Sequence, residues 1–230
     1  MTMRMDATQT SKLEGNREGF KLENLLKAQA LAWQGLRKLR DAMQVGMTER
    51  EICALGARIL KEAGSKKNWH RVIARIDEST LLKFSEPADP DKKLTANSIV
   101  FLDVGPVFEI EGMEYEGDVG DTFVFGDDPE KHRLADACRE LFHTVAGIWR
   151  NESLTGVELY ARAEREAEKI GVKLLPNVDG HRAGDFPHQV FFRGGIGELD
   201  FKPGAGVWIL EIQLRHPTLP FGAFFEDSLV

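Results

Sequence analysis

The chain has 230 residues, 42% of them apolar, and 30 Lys and Arg against 37 Asp and Glu, for a formal net charge of -7. That apolar content suffices for a full core and excludes disorder, while the acidic balance argues against nucleic acid or a membrane surface as partner, since both are held by clustered basic residues. No long uncharged apolar run and no export-type leader is present, so a soluble, cytoplasmic protein is expected.

The first 19 residues are polar and aperiodic and are expected to be a flexible tail, with residues 20–230 forming one domain. From Phe20 to Met43 the apolar positions Leu22, Leu25, Leu26, Trp33, Leu36, Leu39 and Met43 fall near helical spacing. A second helix is predicted after Gly46, opened by a capping box of Thr48 and Glu51 and closed at Gly64. Residues 68–84 look strand-like, and SEPADPDKKL is a loop. Strands 99–108 and 115–125 follow, then helices from Lys131 to Trp149 and from Gly156 to Ile170, then mainly strands and loops, with a strand at 189–192 and GGIG at 194–197 a turn. Cys53 and Cys138 lie in predicted helices without zinc-type spacing and read as two buried thiols.

Two apolar strands each carry one acid: Asp103 in IVFLDV and Glu211 in VWILEI. A carboxylate buried there without a partner would take up a proton or cost several kcal/mol. The order of elements also repeats. Thr48 and Thr155 stand 107 apart, as do Glu51 and Glu158, Ala54 and Ala161, and Gly64 and Gly171. Asp103 and Glu211 are 108 apart, and so are Asp118 and Glu226. Each half therefore holds two acids 15 residues apart, a spacing that would place them face to face in a hairpin centred between Ile110 and Glu111, or between Thr218 and Leu219. Four carboxylates meeting at mid-sheet require cations or protons, and oxygen donors in this number suit two divalent ions sharing bridging ligands. A nitrogen ligand would come from DGHRAGDFPHQ, where His181 and His188 are the candidates.

These residues resemble the pita-bread metallopeptidases, a family that includes methionine aminopeptidase, aminopeptidase P, prolidase and creatinase. The resemblance runs from about residue 22 to 230, through VGMTEREI, LDVG, GDVGDTFVFG, the GH seven residues before a second His, KPG and FED. It implies an α+β fold of two pseudo-symmetric halves, with a curved antiparallel sheet covered by helices. It also implies that Asp103 holds one metal ion, that His181 and Glu211 hold another, and that Asp118 and Glu226 bridge both. Glu211 would act as general base and His188 would hydrogen-bond the substrate carbonyl. The ions would be Mn or Co, with Zn or Fe as alternatives, the substrate a short peptide cleaved in aminopeptidase or Xaa-Pro dipeptidase fashion, and the assembly a homodimer.

The chain departs from the family's usual pattern in five respects. The two Asp residues are 15 apart instead of 11, which lengthens the hairpin around EIEGMEYE. Lys83 or a neighbour stands where a His is usual, RAGD follows His181, and Phe224 replaces an Arg. No counterpart of the separate N-terminal domain of the larger members is expected before the first helix. These departures weaken the expectation of Xaa-Pro specificity and leave two other readings open: a hydrolase of a small non-peptide amide, suggested by Lys83, Arg182 and Phe224, and a binding protein of the same fold without turnover.

Overall fold

A computed structural model describes residues 13–176, 178–187 and 193–230. Four helices appear near their predicted places: α1 Leu22–Ala42, α2 Glu49–Glu62, α3 Pro129–Asn151 and α4 Gly156–Lys169. The capping boxes form as expected, Thr48 with Glu51 and Thr155 with Glu158, each satisfying two backbone donors at a helix start. The terminating glycines Gly64 and Gly171 both adopt positive φ. Cys138 is buried, whereas Cys53 is only half-buried.

The strand-like stretch 68–84 contains only β1 Lys67–Asn68 and β2 Ile73–Ile76, after which a 3-10 turn spans Asp77–Leu81. The two long strands expected next are each broken. Residues 99–108 divide at Gly105 into β3 Ile99–Val104 and β4 Pro106–Ile110, and residues 115–125 divide into β5 Met113–Glu116 and β6 Val119–Val124. The outer parts, β4 and β5, join β1 in a three-stranded sheet, while β3 and β6 enter the main sheet. The remaining strands are β7 Lys173–Leu174, β8 His181–Arg182, β9 Trp208–Arg215 and β10 Gly222–Ser228. The strand expected at 189–192 falls outside the described residues. The main sheet runs β2-β3-β6-β10-β9-β7, with β8 also paired to β9.

Alternation along these strands separates two faces. One face packs on helices: Ala74, Ile76, Val100, Leu102, Val104 and Val119 join the α1–α2 core, while Leu210, Ile212, Leu214, Ala223 and Phe225 join a core that includes α3 and α4 residues. Each half thus has its own core. The opposite face carries Ile73, Phe101 and Phe224 in a small separate cluster, and the acids lie on that face.

The C-terminal hairpin has the predicted register, with Glu226 directly opposite Glu211. The N-terminal one differs by two residues, because Asp103 faces Gly120 and not Asp118. The turn is the reason. Ile110 pairs with Met113, leaving Glu111 and Gly112 as a two-residue loop with φ of 53° and 81°, the mirror-image turn that matches strand twist and favours Gly second. Its centre therefore lies between Glu111 and Gly112, one residue beyond the predicted midpoint. Lys21 and Asn24 donate to the Glu111 carboxylate at 2.7 and 3.2 Å and tie this turn to the start of α1.

Among the described residues no helix is long and apolar enough to cross a membrane.

Candidate metal centre

Backbone pairing draws one row of residues across the sheet: Ile73 on β2, Asp103 on β3, Gly120 on β6, Glu226 on β10 and Glu211 on β9. Three of the five are acids, and the middle position has no side chain. A Cβ at Gly120 would stand 2.4 Å from the Phe224 ring and 3.1 Å from Glu226 Oε1, so glycine keeps the centre of the row open.

Asp118 lies just before β6 and is held by its backbone. Gln29 of α1 donates to Asp118 O at 2.6 Å and accepts from Asp118 N at 2.7 Å, so one buried amide fixes both main-chain groups. His181 enters from β8, which pairs with β9 through His181 and Ile209. The preceding Gly180 has φ +77°, and a Cβ there would lie 2.0 Å from Ile209 O. Only glycine lets the chain approach β9 closely enough for His181 to reach the acids. Its Nδ1 donates to Arg182 O at 2.8 Å, and its Nε2 lies 2.8 Å from Asp118 Oδ2 and 3.7 Å from Glu211 Oε1.

The structure thus brings Asp103, Asp118, His181, Glu211 and Glu226 to one site. His188 lies outside the described residues. The sequence reading missed His70, whose Nε2 is 3.2 Å from Asp103 Oδ1 and 3.3 Å from Asp118 Oδ1. The site therefore does contain a second imidazole, although Lys83 stands where the resemblance places one. No local signal marked it: the dipeptide His-Arg occurs at 70–71 and 181–182 but also at 132–133, on α3. Trp69 sits between the two imidazoles, with ring centroids 4.3 Å from His70 and 5.1 Å from His181.

The residues fit divalent ions by their unmet demand. Asp103 Oδ1, Asp118 Oδ2 and Glu226 Oε1 are buried and accept no hydrogen bond, although imidazole nitrogens stand close to the first two. Short N···O separations without hydrogen-bond alignment are what ligands converging on a shared cation produce. Two triads have donor atoms within 4.8 Å of one another: His70, Asp103 and Asp118; and Asp118, His181 and Glu226. Asp118 belongs to both.

The electrostatics show the same strain. Burial raises Asp103 to about 6, against the pull of His70, and raises Glu211 to about 7, against His181. Burial and the neighbouring carboxylates of Asp118 and Asp103 push Glu226 well above its ordinary range. For Asp118, burial is outweighed by the adjacent imidazoles of His181 and His70, which hold it near 2. Burial alone would lower both imidazoles. The carboxylates reverse the sign, Asp103 first for His70 and Asp118 for His181, so that these stand at about 9 and about 10.

Beyond the acid row a second row follows on the same face: Arg75, Phe101, Thr122, Phe224 and Gln213. The rings of Phe101 and Phe224 are 5.0 Å apart. Arg75 is buried, donates to the carbonyls of Lys83 and Glu86 at 3.5 and 2.9 Å, and keeps its Nε without a partner. Gln213 donates to Thr80 O and Leu82 O at 2.9 and 3.2 Å. Side chains from both rows line a cleft of about 430 Å³, to which Lys83 and Arg193 add positive charge.

Among solved structures the chain is similar to an X-Pro aminopeptidase from Thermotoga maritima, with 19% identity and a TM-score of 0.78 over 96% of this chain and 60% of the other. It is similar to an Xaa-Pro dipeptidase from Bacillus anthracis at 18% identity and a TM-score of 0.77, covering 96% of this chain and 60% of that one. A methionine aminopeptidase from Thermotoga maritima matches at 17% identity and a TM-score of 0.65, over 90% of this chain and 91% of the other. The chain therefore spans about three-fifths of the two larger relatives and nearly all of the smaller one. A comparison with curated proteins finds no match. The family model for Metallopeptidase family M24 matches residues 23–230, which include every acid and both imidazoles of the centre. By that match, and with the pita-bread fold of these neighbours, the chain belongs to metallopeptidase family M24.

Proposed function

We propose that this protein is a dinuclear metal-dependent peptidase that cleaves short peptides. The observation that carries the reading is the convergence of four carboxylates and His181 on one sheet face, with three buried carboxylate oxygens lacking hydrogen bonds. In this reading Asp103 holds one divalent ion, His181 and Glu211 hold the other, and Asp118 and Glu226 contribute to both, the ions being Mn or Co with Zn or Fe as alternatives. When bound, such ions supply Lewis acidity and lower the pKa of water.

The remaining chemistry belongs to the chain's own groups. Glu211 accepts the proton of the attacking water and passes it to the leaving amine. Gln29 and Gly180 fix the reacting geometry by holding Asp118 and His181 in place. The aromatic pair Phe101 and Phe224, with Ile73, receives an apolar side chain of the substrate. Lys83 and Arg193 offer positive charge to a peptide carboxylate. A cleft of about 430 Å³ suits a short peptide and not a folded one. The relatives described as X-Pro aminopeptidase and Xaa-Pro dipeptidase support this substrate class. Phe224 favours apolar residues in general over proline alone.

The test is hydrolysis by protein stripped with chelator and reloaded with Mn or Co, on a panel of Xaa-Pro and other short peptides alongside small amides. Turnover of peptides that requires added metal is expected. Absence of peptide turnover with Mn, Co, Zn and Fe would refute the reading.

A further inference from the structure

We infer that His70 is a direct ligand of the ion held by Asp103, so that each of the two ions carries one imidazole. This goes beyond the five ligands of the proposed function and rests on that dinuclear reading.

Three observations carry it. The first is position. His70 Nε2 lies within 3.3 Å of carboxylate oxygens from both Asp103 and Asp118, and the three residues offer donor atoms within 4.8 Å of one another. The side chain is 4% exposed, so Nε2 faces the acids and not solvent.

The second is orientation. His70 Nδ1 stands 2.6 Å from Arg71 O, and since a carbonyl can only accept, Nδ1 carries the hydrogen. A metal-bound imidazole characteristically donates its other N–H in this way, which fixes the ring and directs the free nitrogen at the ion. His181 does the same with Arg182 O at 2.8 Å, and its Nε2 also points at Asp118. His70 and His181 thus use one local device on the two oxygens of a shared carboxylate.

The third is the space made for the ring. A Cβ on Gly105 would lie 2.2 and 2.3 Å from His70 Cδ2 and Nε2, and 2.4 Å from Trp69 Nε1. Trp69 N donates to Gly105 O at 2.9 Å, which binds this loop to the end of β3. Any side chain at 105 would drive the imidazole out of the centre.

The consequence is chemical. An ion held only by carboxylates suits Mn or Mg, whereas an imidazole on each ion shifts preference toward Co, Fe or Zn. The full chain is stripped and titrated with Co(II) by calorimetry and visible absorption. Imidazole ligands per Co are then counted by X-ray absorption at one and at two equivalents. The wild type is expected to bind two Co(II), with about one imidazole per ion at both loadings. His70→Ala should keep one site and weaken the other by more than the roughly 10- to 100-fold that loss of a group behind a ligand costs. Gly105→Ala, which leaves the imidazole in the chain but displaces it, should weaken the same site. Two ions in the wild type with an imidazole count of one per pair would overturn the inference, and this measurement does not depend on either variant folding. So would unchanged affinity in a folded His70→Ala protein. Failure of the wild type to bind any ion would instead refute the dinuclear reading beneath it.

Discussion

Gly120→Ala places a methyl group at the one position in the acid row that has no side chain, and its cost follows from two opposing effects. Outside the left-handed region, replacing glycine stabilises by about 0.4–1 kcal/mol through the unfolded chain. Against this, the new Cβ would lie 2.4 and 2.8 Å from two atoms of the Phe224 ring, where carbon contacts normally begin near 3.5 Å. The ring is 5% exposed and packed on Phe101, so it can yield only by moving into the cleft it lines, against that packing. Overpacking of this kind costs about 1–3 kcal/mol and outweighs the gain, leaving a net loss near 1–2 kcal/mol. For a chain of this size that is a fall in Tm of roughly 2–8 °C. The methyl also stands 3.1 Å from Glu226 Oε1, so metal affinity should fall with stability. Thermal melts of stripped and reloaded protein measure both. Phe224→Leu in the same background should recover part of the loss, with a coupling above about 0.5 kcal/mol. If the two substitutions add independently, the steric account of the acid row is wrong.

Two other groups give predictions away from the centre. Glu49, 3% exposed at the start of α2, accepts Ile76 N at 2.8 Å, and burial raises its carboxyl above the ordinary 4.5. The folded chain therefore keeps this proton longer than the unfolded one, and the stability so gained is lost as pH rises from about 4.5 through the folded value. Glu49→Gln should remove that slope, so that wild type declines relative to the variant with rising pH in denaturation curves. A constant difference would contradict the burial argument. Glu14 accepts from the buried Trp208 indole at 2.7 Å and from Gly204 N at 2.5 Å, while Leu13 O, Gly15 O and Asn16 Oδ1 accept from Arg182. Glu14→Ala should cost about 1–3 kcal/mol by urea unfolding, because buried donors are left without this acceptor. A change under about 0.5 kcal/mol would mean that Glu14 does not brace the start of β9.

Much of this arrangement was legible because it rests on local chemistry. The capping boxes at Thr48 and Thr155 form from four-residue signals, and the 107-residue repeat of those signals correctly pointed to two halves with equivalent helices. Strand continuity was less legible. The apolar run on either side of Gly105 gives no indication that β3 and β4 belong to different sheets, because that break is set by tertiary packing of the Trp69–His70 loop against the glycine. His70 was hidden for the same reason. It lies 33 residues before Asp103 with no acid near it in the chain, and only folding brings it to the carboxylates. The second row of the cleft was accessible by parity: Phe101 and Phe224 each stand two residues before an acid and so share its face.

The same parity explains why an error in register left the site intact. The N-terminal hairpin is centred one residue later than its acid spacing suggests, which shifts the pairing by two residues. Side chains in a strand alternate faces with period two, so an even shift slides a residue along the face it already occupies, whereas an odd shift would carry Asp118 to the helix side. Asp118 consequently still meets Asp103 across an imidazole, and the place directly opposite Asp103 falls to Gly120. The shift has a structural use. With Asp118 two residues displaced, the sheet row presents only three carboxylates, Asp103, Glu226 and Glu211, around an empty middle. The fourth stands one step off the row beside its middle position, where His70 and His181 can reach it. Four acids in strict opposition would have placed all their charge in one plane; the displaced register instead surrounds a volume, which is what a pair of cations requires.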